Sequence, residues 1–593
     1  MDHHLAELNE LFAQSPRIDS VFFPGGDGGA LEWSTINETA TLLRRSHPRA
    51  GVWVSAQEVN ATVLAQFLHD ILTNATIQNI LGSNGGVVYG PHNRIPFSEF
   101  VHRLRPIDTS TIALNIRQYP DLAHSVDTQF AIQQWDAPLS ESYQRQVVNP
   151  LPVLHASIVQ ARSNGSSPNI GVGAYSEGLN DDLNKFVWSA MGADATENNV
   201  HTIVQEYCQY FFGDDAAHAM YEGIMGLEQN WNGKVVNNQQ RISTTLQTLK
   251  TGFGLLSEQE QDQNWRATMY LRRGFMDQYI YDLHSQDVEL LGRATAVLSQ
   301  ADTDDANDCQ SIVQSALAIL APSSLIQNAS TDPLVASLRR QIVTLAADLD
   351  RQVGAEVLQT QDTALNMNSI DSQLYLSSTY LRSWLLNLTS TGSSTGPRSR
   401  ASSSTTPTSV CTQIYNYLNW TNPGVGGYYD NVGSIDALDH PHLVRSVQGS
   451  SSSSSSSSRA DPSCYDQHCV LQGGSNALKN IRPSWLRYGM VMFDNALTLR
   501  YTNVDTLAQY NWEVVMWYCW FDCSNDLVKF TVNGVPLTQK YIAAPNPMRK
   551  LSFSVPSEAF ADTGTIEISC ERVDGLGGNG KTCQLTEAWL RKV

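Results

Sequence analysis

Carboxylate side chains follow four of five short apolar runs in the first 190 residues. Asp27 lies in the glycine-rich turn PGGDGG, and Glu177 ends the run NIGVGAYSE. Glu58 and Asp121 occupy equivalent positions after two other runs. Two carboxyl groups can cleave a glycosidic bond, because one protonates the leaving oxygen while the other stabilises or attacks the oxocarbenium-like centre. Asp27 and Glu177 are therefore the predicted catalytic residues.

Other polar and aromatic side chains accompany this pair and are predicted to bind substrate. They are Glu58, Tyr89, His92, Arg94, Arg117, Asp121, His124, Tyr175, Asn180, Asp181 and Asp182. Structural alternatives exist for several of these residues. Asp27 suits a turn, Glu177 suits a helix cap or a pair with Lys185, and Asp181 and Asp182 suit the start of a helix, where acids complement the dipole. The sequence leaves both interpretations open.

The candidate residues belong to five β-rich runs at 19–26, 50–57, 85–90, 111–119 and 169–177. Apolar residues in the runs are nearly continuous, which is typical of parallel strands covered on both faces. Helical or polar segments separate the runs, so residues 1–190 are predicted to form an α/β unit, a partial (β/α) barrel of about five units. Ligands bind at the carboxyl ends of strands in such folds, and the candidate residues lie there.

The remaining chain is predicted to form an α-helical domain at 191–390, a Ser/Thr-rich linker at 391–410, and an antiparallel β-sandwich at 411–593 with a poly-Ser loop at about 449–460. Gly213 is a predicted helix end. Arg272 and Arg273, midway along a helix, are interpreted as surface residues. Asn533 and Gly534 predict a tight hairpin turn in the sandwich.

Charge and composition exclude several classes of function. The chain has 38 Lys and Arg residues against 58 Asp and Glu residues, a formal net charge of −20. This balance argues against nucleic acid as a partner and leaves carbohydrate polymers as candidates. No run approaches the ~18 apolar residues of a membrane span. No metal-ligand spacing or nucleotide-binding loop is evident, so neither a metal nor a cofactor is predicted.

Cysteine usage points to an oxidising compartment. Seven of the nine cysteines lie in residues 411–593, and their spacing does not match paired zinc ligands, which favours disulfides. Seven N-x-S/T sequons suit a glycoprotein, although a chain rich in Asn, Ser and Thr produces such matches by chance. The predicted location is extracellular or in the secretory pathway, although the first residues, MDHHLAEL, do not form a signal peptide.

The order of several segments resembles a known enzyme group. A GGD turn, WVSAQ, YGP, YPDLAH and YSEGLNDDLNKFVW precede a helix ending in YFFG. This order is similar to the second half of a (β/α)8-barrel glycoside hydrolase, of the broad group that contains α-glucuronidases and β-N-acetylhexosaminidases. The segments RPSWLRYG and TEAWLRKV also resemble the C-terminal part of such proteins. The resemblance implies that Asp27 follows the fourth barrel strand and is catalytic, and that the first three barrel strands are missing from this chain.

Two functions are expected from these observations. The first is a glycoside hydrolase-like protein that acts on the glycosidic bonds of oligo- or polysaccharides by carboxylate acid/base chemistry. The second is a noncatalytic glycan-binding or structural protein derived from such an enzyme. An open barrel fragment has unpaired strand edges, which are a structural liability. The two expected functions differ in whether such a fragment still catalyses hydrolysis.

Overall fold

The computed structural model describes the chain in segments. The described residues are 2–24, 32–56, 61–82, 84–90, 97–104, 115–118, 121–123, 148–163, 169–176, 181–194, 199–231, 238–301, 306–322, 333–354, 377–391, 410–432, 440–444, 459–461, 491–493, 496–516, 527–545, 549–560, 564–572 and 585–593.

Five parallel strands form one sheet in the N-terminal part of the chain. They are β1 (Ser20–Phe23), β2 (Gly51–Ser55), β3 (Gly86–Tyr89), β4 (Asn115–Gln118) and β6 (Asn169–Val172). The strands hydrogen-bond in the order β1-β2-β3-β4-β6, which is their order in the chain. Two short strands, β5 (Asp121–Ala123) and β7 (Tyr175–Ser176), follow β4 and β6 and pair with each other in parallel. The predicted parallel sheet is therefore confirmed.

Helices cover one face of this sheet. They are α1 (Asp2–Gln14), α2 (Trp33–Ser46), α3 (Ala61–Thr73), α4 (Ala75–Leu81) and α5 (Phe97–Leu104). Their apolar side chains pack with Val52, Val54, Val87 and Ile116 in one hydrophobic cluster. Side chains alternate between the faces of a strand, so Trp53 lies on the opposite face. Strands in chain order with helices on one side are the arrangement of part of a (β/α) barrel, not of a doubly wound sheet.

A helical domain follows the sheet. Its elements are α6 (Pro152–Ser163), which precedes β6, then α7 (Asp182–Ala193), α8 (Val200–Gln229), α9 (Gln239–Leu255), α10 (Glu258–Gln263), α11 (Trp265–Leu298), α12 (Ala306–Ile319), α13 (Pro333–Val353), α14 (Ser377–Thr391) and α15 (Val410–Asn419). Gly213 has a φ of 72° inside α8 and interrupts it, which confirms the predicted helix end. None of the described helices is long and apolar enough to cross a membrane.

Helix α11 passes through the interior of the helical domain. The prediction that Arg272 and Arg273 lie on the surface is wrong, because they are only 2% and 1% exposed. Arg273 donates from Nε to Asp277 Oδ1 over 2.8 Å and from Nη1 to the Val148 carbonyl over 2.7 Å. Burial of the guanidinium is tolerated because a carboxylate one helical turn away compensates its charge.

The residues at the end of the predicted Ser/Thr-rich linker and just after it form helix α15, which packs on the helical domain. Helix α15 packs against α12 and α14 in a hydrophobic cluster that includes Ile414. Trp384 of α14 stacks on Tyr417 of α15 with ring centroids 4.7 Å apart. A disulfide joins Cys309 of α12 to Cys411 of α15. The segment that follows the Ser/Thr-rich linker is thus a helix fastened to the helical domain, rather than the first part of the sandwich.

Two four-stranded antiparallel sheets form the C-terminal domain. Their strands are β8 (Tyr428–Asp430), β11 (Thr498–Thr502), β12 (Tyr510–Met516), β13 (Val528–Val532), β14 (Val535–Pro536), β15 (Lys550–Ser554), β16 (Thr565–Arg572) and β17 (Leu585–Lys592), while β9 (Arg459–Asp461) and β10 (Val491–Phe493) pair separately. The sheets have the orders β11-β16-β13-β14 and β15-β12-β17-β8 and share one core. Between β13 and β14, Asn533 and Gly534 both have positive φ, as the predicted hairpin turn requires.

The sandwich is attached directly to the residue after α15. Trp420 donates from Nε1 to buried Glu587 over 3.0 Å, and Trp589 donates from Nε1 to the Trp420 carbonyl over 3.1 Å. The Lys550 ammonium lies 3.8 Å and 4.2 Å from the ring centroids of Trp589 and Trp420. Helix α15 therefore connects the helical domain and the sandwich without a free segment between them.

Candidate functional site

The carboxyl ends of the five parallel strands lie along one edge of the sheet, because neighbouring strands all pair in the same direction. Phe23, Ser55, Tyr89, Gln118 and Val172 are the last residues of these strands. Seven predicted site residues follow these strands in the chain but lie outside the described residues: Asp27, Glu58, His92, Arg94, His124, Glu177 and Asn180. The edge formed by the carboxyl ends of the five strands, after which these segments follow in the chain, is here called the rim.

Two of the predicted site residues are partners in a parallel β pairing at the rim. Strands β5 and β7 pair so that Asp121 is the partner of Tyr175. The two residues follow β4 and β6, which are themselves neighbours in the sheet. Glu177 comes two residues after Tyr175 in the sequence. The fold thus places side by side the strands β5 and β7, which lie just after the fourth predicted run and at the end of the fifth.

Arg117 lies on the face of the sheet that helices α1 to α5 leave open. Its guanidinium carbon is 3.8 Å from the centroid of the Trp53 ring, a cation–π contact across β3. Gly86 of β3 makes this possible, since a Cβ there would lie 2.9 Å from the Trp53 ring and 2.1 Å from the Asn115 carbonyl oxygen. Partial burial lowers the pKa of Arg117 from its usual value, but a guanidinium remains charged in proteins. This face therefore presents a cation supported by a buried indole.

Tyr89 and Asp181 are both buried. Tyr89 is on the helix-covered face, 9% exposed, and contacts the Phe100 ring edge-on at a centroid distance of 5.1 Å. Its ring belongs to the hydrophobic core. Asp181 precedes helix α7, is 2% exposed, and makes no side-chain cap to that helix. Neither side chain is therefore open to solvent, unlike that of Arg117.

Asp182 connects the rim to the helical domain. Its Oδ2 accepts a hydrogen bond from the Tyr207 hydroxyl over 3.0 Å and is ion-paired with Arg266 Nε. The Tyr207 and Tyr270 hydroxyls are 3.2 Å apart. Burial raises the pKa of both tyrosines well above the usual range, and Asp182 adds to this effect. Both hydroxyls therefore stay protonated and can donate.

The Asp182 side chain is 20% exposed and that of Arg266 is 23% exposed, so solvent reaches the pair. Arg266 also lies 3.9 Å from the Phe211 ring centroid and 4.2 Å from the Trp265 centroid. The cluster offers a carboxylate, a guanidinium and aromatic faces to a ligand. Of this cluster the sequence predicts only Asp182 as a site residue, because 84 residues separate it from Arg266 and no local spacing links the two. Within the described residues no three His, Cys, Asp or Glu side chains gather as metal ligands.

Comparison with known proteins gives little to assign this site. No family model matches the chain, and no curated protein matches its sequence. Among solved structures, a GH138 enzyme targeting pectin rhamnogalacturonan II is similar over 94% of this chain and 70% of its own, with 8% sequence identity and a TM-score of 0.34. At so low a TM-score the likeness carries no argument about the activity of the present chain.

Proposed function

We propose that the rim binds carbohydrate and that the protein is of the glycoside hydrolase type. The observation that supports this proposal is the parallel, chain-ordered pairing of β1, β2, β3, β4 and β6. In the chain, the segments that carry Asp27, Glu58, Asp121 and Glu177 all follow strands whose carboxyl ends lie at one edge of this sheet. Several carboxylates on one rim supply the groups that glycosidic-bond hydrolysis needs.

In the proposed reaction, Asp27 and Glu177 share the two roles. One carboxylic acid gives its proton to the glycosidic oxygen as the bond from this oxygen to the anomeric carbon breaks. The other carboxylate either attacks the anomeric carbon or takes a proton from the attacking water, and one water is consumed for each bond cleaved. An acid that keeps its proton near neutral pH requires burial or a neighbouring carboxylate.

The remaining rim residues are proposed to hold the sugar. Arg117 on Trp53 offers a cation for hydroxyl or carboxylate oxygens. Asp121 and Tyr175 are backbone partners in β5 and β7. In the chain, Glu58 follows β2, His92 and Arg94 follow β3, His124 follows β5 and Asn180 follows β7. We also propose that the protein acts in an oxidising, extracytosolic compartment, since the Cys309–Cys411 disulfide is compatible with one.

The test is hydrolysis of a panel of aryl glycosides and polysaccharides by the full chain and by Asp27→Asn and Glu177→Gln variants. Loss of either group is expected to lower the rate by about a hundredfold or more. Asp19→Asn is the matched control. Asp19 directly precedes β1 at the opposite edge of the sheet, and its exposed carboxylate is 2.9 Å from Arg17 Nε. This variant is expected to keep the full rate.

The outcomes separate the two expected functions. Glycan binding by the wild type without turnover of any substrate would support the noncatalytic alternative. Turnover that survives in both the Asp27 and Glu177 variants would remove these residues from the mechanism. If the wild type neither binds nor cleaves any glycan of the panel, the proposed function as a whole is refuted.

A further inference from the structure

We propose that the protein carries an N-linked glycan on Asn74, at the turn between α3 and α4. Asn74, Ala75 and Thr76 form one of the seven N-x-S/T sequons of the chain, the signal that accepts such a glycan in a secretory compartment. The inference rests on the extracytosolic compartment of the proposed function and does not depend on glycoside hydrolysis. Sequons also arise by chance, and the surroundings of Asn74 distinguish it from the others.

The sequon of Asn74 lies in an exposed turn. All residues from 72 to 76 are exposed, and the turn joins the end of α3 to the start of α4. The two residues that define the sequon, Asn74 and Thr76, are therefore both at the surface. N-linked glycans are bulky and solvated and occupy surface positions of this kind.

The two polar atoms of the Asn74 side chain have separate tasks. Oδ1 accepts hydrogen bonds from the backbone N–H groups of Thr76 over 2.9 Å and Ile77 over 3.4 Å, and so caps α4. Nδ2 makes no hydrogen bond within the described part of the chain. The free atom is the one to which a glycan is attached.

Attachment of the glycan leaves the cap of α4 intact. Nδ2 of Asn74 forms a bond to the anomeric carbon of an oligosaccharide carried on a lipid diphosphate. The bond from this carbon to the diphosphate oxygen breaks, the lipid diphosphate leaves, and Nδ2 loses one proton. The amide carbonyl is unchanged, so Oδ1 still accepts from the first turn of α4.

Asn74 lies on the side of the sheet away from the rim. The chain from β2 to β3 returns from the rim to the opposite edge, where β3 begins. Arg44, in the last turn of α2, donates to two carbonyls in the last turn of α4, and the seven residues of α4 span about 10 Å. A glycan on Asn74 would leave the rim open. It would also shield Leu72, an apolar residue two positions away that is 54% exposed.

Two other sequon residues, Asn37 and Asn387, lie within helices. Asn37 is half-buried in α2, and the threonine of its sequon, Thr39, is only 4% exposed. Asn387 is next to buried Leu388 in α14. Neither sequon presents both of its defining residues in an exposed turn. The sequons of Asn60, Asn164 and Asn328 lie outside the described residues.

The sequon of Asn419 differs from that of Asn74 in the state of Nδ2. Nδ2 of Asn419 donates to the Tyr415 carbonyl over 3.0 Å. The next residue, Trp420, is bound to Glu587 at the junction with the sandwich. A glycan on this nitrogen would crowd both the hydrogen bond and the junction. Asn419 is therefore expected to remain unmodified.

The test maps glycans on the full chain, directed by a leader peptide into the secretory pathway of a eukaryotic host and collected from cells and medium. Peptide N-glycosidase in heavy-oxygen water converts a glycosylated asparagine into labelled aspartate, which mass spectrometry assigns to one position. Thr76→Val removes the sequon but keeps Asn74 and its cap, which uses the Thr76 backbone N–H. Thr76→Ser keeps the sequon, and Thr73→Val changes an exposed threonine of the same turn that belongs to no sequon. Label at position 74 is expected in the wild type, Thr76→Ser and Thr73→Val, and should be lost in Thr76→Val.

Failure of the glycan site can be told apart from failure of the proposed function. A wild type that forms the Cys309–Cys411 disulfide in this pathway but carries no glycan on Asn74 would overturn the site and leave the extracytosolic compartment standing. Protein purified from its natural source with free thiols at both cysteines and no glycan at any sequon would overturn both. Label on Asn419 in place of Asn74 would also overturn the site. The glycan map does not depend on hydrolysis, so a failed activity panel leaves this proposal intact.

Discussion

Replacing both cysteines of the Cys309–Cys411 disulfide by serine is expected to destabilise the helical domain strongly. The bond joins residues separated by 102 positions, and closing a loop of this size in the unfolded chain is worth about 4.7 kcal/mol in the chain-entropy model. The unfolded state of the double variant regains that freedom. The expected loss in the free energy of unfolding is therefore about 4 kcal/mol, confined to the region that the bond fastens.

Urea unfolding followed by tryptophan fluorescence measures this loss. Trp384 is a local reporter, because its ring stacks on Tyr417 of α15 and loses this contact when the helix detaches. With a slope of about 2 kcal/mol per molar urea, the midpoint of this transition should fall by about 2 M. A Trp384→Phe background identifies the part of the signal that belongs to this site.

Cys208→Ser provides the control for replacing a buried sulfur by a hydroxyl. Cys208 is a buried free thiol. Burial raises the pKa of this thiol, so it stays protonated at neutral pH and does not supply the thiolate that disulfide exchange requires. If the double variant unfolds at the same urea concentration as the wild type, or shifts no further than Cys208→Ser, the bond does not constrain the unfolded chain and the reasoning is refuted.

Two further predictions concern buried charges. Asp277→Asn leaves the Arg273 guanidinium buried without its carboxylate, and the free energy of unfolding in urea should fall by about 3 to 5 kcal/mol. The control Arg293→Gln breaks an exposed pair of the same i, i+4 spacing and should lower it by less than about 0.5 kcal/mol. Equal losses in the two variants would contradict this prediction. Glu228 accepts hydrogen bonds from the first turn of α6, and burial raises its pKa from 4.5 to about 7. The folded state favours the protonated form of Glu228, so the free energy of unfolding of the wild type should fall as pH rises from about 5 to 8. Over that interval the stability of Glu228→Gln relative to the wild type should increase by roughly 2 to 3 kcal/mol. A stability difference between the two proteins that is the same at pH 5 and pH 8 would contradict this prediction.

The strands of the parallel sheet were predictable because their signal is local. Val52, Trp53 and Val54 are consecutive and all less than 5% exposed, so the sequence of β2 is apolar without alternation. The identity of the two faces was not predictable in the same way. Helices cover the Val52 and Val54 side, and Arg117 lies over Trp53 on the other side, which depends on strand order rather than on the composition of any one run.

Helix α11 illustrates where a periodic pattern fails. Every residue from 267 to 277 is buried, because neighbouring helices surround this part of α11. A helix enclosed on all sides has no polar face, so its two consecutive arginines have no pattern that would mark them as buried. Their compensation by Asp277 and by the Val148 carbonyl is visible only in three dimensions.

The candidate site shows the same difference between signals that are local in the sequence and contacts that depend on the tertiary fold. Carboxylates after strands are a local signal, and Asp121 and Asp182 are predicted as site residues from their positions in the sequence alone. The partners that decide what Asp182 does, Arg266 and Tyr207, are 84 and 25 residues away. Tertiary packing of α7, α8 and α11 brings them together, and no spacing rule for one helix or one turn reports it.

The bond between Cys309 and Cys411 has a practical consequence for anyone handling this protein. The Ser/Thr-rich stretch between α14 and α15 contains Arg398 and Arg400, both targets for a trypsin-like protease. A cut after either arginine would produce two polypeptides that remain joined by the Cys309–Cys411 disulfide. They would migrate as one band on a non-reducing gel and as two bands after reduction. Material that looks intact without reductant can therefore be a nicked, covalently joined heterodimer.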